Sequence, residues 1–395
     1  MRTMLYSPDS YGLGHVRRSL SVSGALLDAI PGASSRLLTG APRAHYFDYP
    51  PGSDYVKLPT VTKDDSGHYI GTDDDLSLAE TVHLRGRLIR QAVHRFGPRV
   101  MIVDHSPLGL CGEVLPTLQR LRPTGNGTLR VLGMRDVIDE PEAVLATWKK
   151  DRVIDVLRSC YDLILVYGQR EIFDPVREYD VPPEVADKTQ FVGYIPREAR
   201  TVDPRGVKEA FAPRTGKLVV LTLGGGGDGD FLLHLFCEAY ARLGEHPPFE
   251  AVAITGPLMG ARERDRFRER AESLPGLTLR EYCPDLPQMF EAADFVVSMG
   301  GYNTITELAC AGARALIVPR TYPRKEQLVR ARLLAERGVV GCLAPDRATP
   351  QALLHEIVAG MKQPHPPRGW GLRFTGLEKT AVAIKQLVAD VAEVA

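Results

Sequence analysis

The chain lacks any surplus of charge: across 395 residues, 49 Lys and Arg balance 49 Asp and Glu. Residues 1–200 hold 25 basic against 26 acidic side chains, which leaves 24 against 23 for the rest. Neither half projects a net field, and this argues against nucleic acid or an anionic membrane as the main partner. Long apolar runs are missing too. None reaches 18 residues, so no integral membrane segment is expected, and the opening MRTMLYSPDS enters a strand without the apolar core and cleavage site of a signal peptide. Cysteine is sparse and scattered. Cys111, Cys160, Cys237, Cys283, Cys310 and Cys342 form no CxxC pair and have no histidine at ligand spacing. They read as reduced, mostly buried thiols of a cytoplasmic protein, with neither disulfides nor a metal site.

What is present is length and alternation. A chain of 395 residues exceeds one ordinary core, so two domains are expected. Apolar runs read as strands at 3–7, 35–39, 55–58, 99–104, 128–135, 163–167 and 191–192, with helices at 15–30, 76–96, 112–122 and 141–160 between them. Residues 193–216 turn polar and proline-bearing, as a linker would. The pattern restarts with strands at 217–223, 249–255 and 277–280 and a helix at 231–243. A strand–helix–strand unit ending in a polar loop spans 294–327, and helices at 350–361 and 377–391 close the chain. Strand and helix in alternation predict an α/β protein built on doubly wound parallel sheets.

In such sheets ligands bind beyond the carboxyl ends of the strands. There the chain places SYGLGHVRRSL, with Gly12, Gly14 and His15. The third glycine of a dinucleotide fingerprint is missing, since position 17 is Arg, which argues against NAD. His15 at a helix start suits a general base, against the plainer reading that it only bonds the loop. Residues 99–104 deliver Asp104, His105 and Ser106 to the same edge, and Asp136 ends the next strand in the same way. Residues 60–75 form a long polar segment suited to covering an acceptor, with Asp73–Asp75 expected to cap the helix after it.

In the second half GGGGDGD joins a strand to a helix, so the N–H groups of Gly224, Gly225, Gly226 and Gly227 can converge on an anion. No GK(S/T) follows, which argues against kinase or ATPase chemistry. Residues 294–327 open a second helix beyond Gly300 and Gly301, with Asn303 or Thr304 as the expected cap. A helix start of this kind attracts phosphate. Glu307, expected on the first turn, suits either the helix dipole or the vicinal hydroxyls of a ribose.

Together with LPTVTKDDSGHY, IVDHSPLG, LGMRDVID and GGYNTITELACAG followed by PR and EQ, these motifs resemble the GT-B glycosyltransferases. The second half is similar to the MurG-like, family 28 type of C-terminal domain. The first half resembles a group of bacterial predicted glycosyltransferases. The resemblance implies two Rossmann-like domains facing a cleft: an acceptor-side domain at 1–196, a donor-binding domain at 214–375, and a helix at 376–395 returning to the first domain. It implies that Gly224–Gly227, Gly300, Gly301, Asn303 and Thr304 hold a diphosphate and that Glu307 holds the ribose. The loop from Tyr282 to Leu286 would hold the base, and Glu326 with Gln327 the sugar hydroxyls. His15 aligns with the histidine of the N-terminal glycine loop in these enzymes, and Asp104 is the alternative base. Gly12, Gly14, His105 and Asp136 fall on the acceptor side. The implied activity is sugar transfer from a nucleoside diphosphate sugar, a UDP-sugar, to a small-molecule or glycan acceptor, inverting, without metal or further cofactor. The glycine run departs from the family's usual GGSQGA form, since Asp228 follows it. The same architecture also carries sugar-nucleotide 2-epimerases and hydrolases, and a non-catalytic nucleotide-sugar-binding protein is the remaining alternative.

Overall fold

The computed structural model describes residues 1–8, 14–63, 68–73, 75–121, 127–196 and 204–394. The chain divides into two compact units, one of Met1–Ile195 with Arg373–Ala395 and one of Pro196–Leu372.

The first unit is built on β1 (Arg2–Ser7), β2 (Ser34–Thr39), β3 (Ser53–Lys57), a separate two-stranded hairpin β4 (Val61–Lys63) and β5 (Tyr69–Gly71), β6 (Val100–Asp104), β7 (Leu129–Arg135), β8 (Leu163–Tyr167) and β9 (Thr189–Phe191). Its seven-stranded sheet runs β3-β2-β1-β6-β7-β8-β9, parallel throughout. Runs such as VMIVD and LILVY are buried at every position, as a sheet covered on both faces requires. The strand order reverses between β1 and β6, and in an open sheet the crevice at that reversal is the binding position.

The second unit repeats the plan with β10 (Leu218–Thr222), β11 (Glu250–Ile254), β12 (Leu277–Arg280), β13 (Phe295–Ser298), β14 (Ala315–Ile317) and β15 (Gly341–Cys342). The order is β12-β11-β10-β13-β14-β15, again parallel, with its reversal between β10 and β13. Phe236, Phe249, Val219, Leu221 and Val297 centre its core. Both units are therefore doubly wound parallel α/β folds, as the alternation predicted.

Several local expectations are corrected. The segment 60–75 is not a bare loop, because its residues 61–63 and 69–71 form the antiparallel β4–β5 pair. Asp73 and Asp75 do not cap the next helix, Leu78–Phe96: Ser77 does, in a reciprocal capping box with Glu80, and Asp74 lies outside the described residues. The single helix expected at 141–160 is two, Pro141–Lys150 and Val153–Cys160, broken at Arg152 with φ 53°. An unbroken helix carrying Val144 and Trp148 on its core face would bring Asp151 and Asp155 round to that face. The break turns Val153, Val156 and Leu157 inward instead.

The linker expected at 193–216 contains a helix, Pro204–Phe211, whose Lys208 ion-pairs with Asp294 at 2.8 Å. At its start, the Tyr194 N–H donates to Arg373 O at 2.8 Å and the Gly376 N–H to Tyr194 O at 3.0 Å. The closing helix, Gly376–Val394, packs on helix Gly14–Ala29 within the first unit. Two helices carried too little signal to be expected. Ala261–Glu272 buries only Phe267 and Ala271 in a run of charges, and Glu326–Glu336 begins at the end of the polar loop expected up to residue 327. Of the cysteines, Cys160 and Cys237 are buried, Cys283, Cys310 and Cys342 half-buried, and Cys111 exposed, so burial is less general than expected.

Candidate functional site

In the first unit the order reversal brings two distant segments together. β1 leads to the helix Gly14–Ala29, and β6 ends at Asp104. His15 Nδ1 lies 2.6 Å from Asp104 Oδ2. Arg18, one turn along the helix, donates from Nε to Oδ1 at 2.8 Å and from NH2 to Oδ2 at 2.7 Å. An ionised carboxylate only accepts, so the shorter contact puts the proton on Nδ1 of His15 and the lone pair on Nε2, while Arg18 NH2, 2.9 Å from the same Nδ1, donates to Asp104. Asp104 is 5% exposed and Arg18 4%. Burial alone would raise the Asp104 carboxyl, but Arg18 and His15 together hold it well below the usual carboxylate range. Burial depresses the His15 imidazole, with the charges of Arg18 and Arg135 adding to the effect and Asp104 opposing it. The result is a neutral imidazole with a fixed tautomer, oriented by a carboxylate that stays charged, which is the arrangement of a general base.

Beside it, His105 holds its ring centroid 5.5 Å from that of His15, tilted by 33°, and adopts φ 63°, a left-handed conformation that histidine tolerates better than most residues. Its N–H donates to Gly133 O at 2.6 Å. Asp136 is buried at the end of β7, where it accepts from the Tyr194 hydroxyl and the Val137 N–H, each at 2.7 Å. Gly14 opens the helix, whereas Gly12 lies outside the described residues. Arg18 was not singled out from sequence, although an arginine three residues after a histidine shares its helix face.

In the second unit the reversal lies between β10 and β13, whose last residues, Thr222 and Ser298, are register partners. Each hydroxyl accepts the N–H of the glycine two residues on: Gly224 to Thr222 at 3.3 Å and Gly300 to Ser298 at 3.2 Å. The two turns come close, since a Cβ on Gly224 would sit 3.9 Å from Thr304 Oγ1. Some of these glycines are required by the fold. Gly226 has φ 88°, and a Cβ there would lie 2.0 Å from Thr255 O; Gly300 has φ 83° and faces Ile317. Gly301 differs. Its φ is −58° and a Cβ would meet nothing, so the fold does not need glycine there. Gly225 and Gly227 complete the run, Gly225 accepting the Leu258 N–H at 2.9 Å and Gly227 exposed.

The helix beyond, Tyr302–Ala311, has Gly301 as its N-cap, which corrects the expectation that Asn303 or Thr304 would cap it. Glu307 is consequently its sixth residue and not on the first turn, so dipole compensation does not explain it. It is 5% exposed, and its charge adds to the burial that pushes the Cys310 thiol up to about 11. Tyr282 is 51% exposed in the loop before the helix Leu286–Ala292, and that loop is tied to the turn after β11 through the Gly256 N–H bond to Glu281 O at 2.9 Å. Glu326 and Gln327 do not lie in a loop but open the helix Glu326–Glu336, both 7% exposed. The Gln327 side-chain oxygen accepts the Arg320 N–H at 3.1 Å.

Residues 219–368 match the glycosyltransferase family 28 C-terminal domain. That match covers most of the second unit. The chain is 31% identical over 206 residues to a UDP-N-acetylglucosamine--N-acetylmuramyl-(pentapeptide) pyrophosphoryl-undecaprenol N-acetylglucosamine transferase of Verminephrobacter eiseniae, covering 52% of this chain and 51% of that one. It spans about half the length of the curated relatives it matches. Among solved structures, MurG of Acinetobacter baumannii superposes with a TM-score of 0.53 at 14% identity, over 100% of this chain and 98% of that one. A protein of Listeria monocytogenes proposed to be a UDP-N-acetylglucosamine 2-epimerase superposes at 0.67 with 10% identity, over 99% and 97%. At such identities these two show the fold alone. The chain carries the two-domain GT-B fold, with two Rossmann-like parallel sheets. Among the described residues no helix is long and apolar enough to cross a membrane, and no three His, Cys, Asp or Glu side chains gather at metal-holding distance.

Proposed function

We propose that the protein is a glycosyltransferase that moves a sugar from a UDP-sugar to a hydroxyl-bearing acceptor, a small molecule or glycan, with inversion and without metal. The observation that carries this is the His15–Asp104–Arg18 constellation at the order reversal of the first unit. It is read together with the family 28 match over most of the second. Transfer requires a stabilised leaving diphosphate and a deprotonated acceptor. In the second unit, the N–H groups of Gly224–Gly227 and of the helix start at Gly301, Asn303 and Thr304 would receive the diphosphate, the helix dipole taking the place of a metal ion. Glu307 would accept from the ribose, the loop from Tyr282 to Leu286 would meet the base, and Glu326 and Gln327 the sugar. In the first unit, His15 Nε2 would take the acceptor proton while Asp104 stabilises the imidazolium that forms. Asp104 itself is a positioning residue, because its oxygens are engaged by His15 and Arg18.

General-base action contributes about 100- to 10,000-fold. His15→Ala should therefore slow single-turnover transfer by that factor while leaving UDP affinity unchanged in calorimetry. Equal loss of rate and affinity would sink the assignment. Incubation with UDP-N-acetylglucosamine alone separates the competing chemistries, since released sugar or a 2-epimer in the absence of acceptor would favour a hydrolase or an epimerase.

A further inference from the structure

Asp228, Arg320 and Glu326 form a charged cluster whose combined effect the roles above leave open. Asp228 closes the glycine run, Arg320 follows β14, and Glu326 opens the helix Glu326–Glu336. Arg320 Nε lies 2.5 Å from Asp228 Oδ2, and its NH2 donates to Glu326 Oε1 at 2.7 Å. Its NH1 donates to Arg324 O at 2.9 Å, so the guanidinium is shared between two carboxylates and a carbonyl, with its Nε in ion-pair contact only. Glu326 is 7% exposed, and its second oxygen, Oε2, is buried without a hydrogen-bond partner among the described residues. Two carboxylates thus share one cation. The cluster carries a formal net negative charge with acceptor capacity left over; burial raises the Asp228 carboxyl, while the pull of Arg320 outweighs the repulsion from Glu326.

A surplus of negative charge beside the glycine run does not suit the diphosphate itself, whose charge it would repel. It suits what the diphosphate carries. We propose that Asp228, Arg320 and Glu326 act as a charge filter at the sugar end of the donor site, admitting neutral and amino sugars and rejecting uronates. The inference rests on the donor reading above and assigns that site a substrate class. Sugar hydroxyls or an ammonium donate to the unsatisfied Oε2 of Glu326 and to the part-exposed carboxylate of Asp228. A uronate instead brings a third negative charge to a cluster whose one guanidinium is already committed, so discrimination comes from repulsion of the wrong ligand.

The test is calorimetry of UDP, UDP-glucose, UDP-N-acetylglucosamine and UDP-glucuronate against the wild type and Asp228→Asn. Asp228 is 39% exposed, so the substitution is compatible with folding, which a thermal melt checks. The wild type should bind UDP-glucuronate at least about tenfold more weakly than the better neutral donor, a difference of about 1.4 kcal/mol. Asp228→Asn should narrow that ratio to about threefold or less with little change for UDP. Glu326→Gln should shift the ratio in the same direction. Equal wild-type affinities, or a ratio unmoved in both variants, overturn the filter while leaving the donor reading intact. Failure of UDP itself to bind the wild type overturns the donor reading and the filter with it.

Discussion

Replacing Asp104 by asparagine removes the charge and one acceptor oxygen from a group that takes three short bonds, at 2.6 Å from His15 and 2.7 and 2.8 Å from Arg18. An amide has one oxygen and two N–H donors, so if it serves Arg18 it turns a donor toward His15, and the reverse. A hydrogen bond to a charged group contributes about 1.5–3 kcal/mol, and stripping the partner from a buried charge costs about 3–5 kcal/mol. Arg18 is 4% exposed, so water does not replace what is lost. The retained amide oxygen offsets part of this, which leaves an expected loss of about 3 kcal/mol. For a unit of this size each kcal/mol lowers the melting temperature by about 2–4 °C, which gives about 6–12 °C.

The pH dependence has a definite sign. The carboxyl is depressed in the folded state, so its contribution is present above the unfolded value near about 3.9 and is lost as pH falls through the folded value. The gap between wild type and variant should persist through neutral pH and close in acid. Scanning calorimetry at pH 7 and well below about pH 3.9 reads both. A variant melting within about 1 °C of wild type at pH 7 would refute the argument that Asp104 anchors a buried charge pair.

The depressed imidazole of His15 places the acid limb of kcat/KM below its ordinary value of 6.5, so activity should hold from neutral pH down past that point and fall only in stronger acid; a limb above 6.5 would contradict the burial argument. Protonating His15 also costs stability in that same window, so stability should rise with pH up to about 6.5 and then level off. The glycines divide into two kinds. Gly226→Ala forces a Cβ onto Thr255 O and should lower the melting temperature, whereas Gly301→Ala should melt like wild type yet weaken UDP binding, because its open space is where a phosphate would approach the helix start. A Gly301→Ala variant with unchanged UDP affinity would remove that helix start from the donor site.

Strands were the most legible part of the chain, because parallel strands covered on both faces read as unbroken apolar runs such as LVVLT and FVVS. Glycines just after such runs, Gly224 and Gly300, marked the order reversal of the second unit. Helix ends were harder. Gly301 caps without a side chain, so Asn303 and Thr304 attracted an assignment they do not hold, and Glu307 was read almost a turn too early. Helix Ala261–Glu272 escaped because two buried side chains in twelve leave little periodicity. At the site, single residues were readable while pairings were not. His15 and Asp104 stood out separately at strand ends, but their bond spans 89 residues, and only the β1–β6 pairing reveals it. Arg320 gave no local sign that it bridges Asp228 and Glu326, since those partners come from two different connections.

Sugar transfer from a UDP-sugar requires the second unit to hold a uridine diphosphate, and isothermal titration of UDP into the protein reads that binding. Saturable 1:1 binding is expected, weakened at least about tenfold by Glu307→Gln, with a thermal melt confirming that the variant is folded. No detectable binding at millimolar UDP, or wild-type affinity in the folded Glu307→Gln variant, would contradict it.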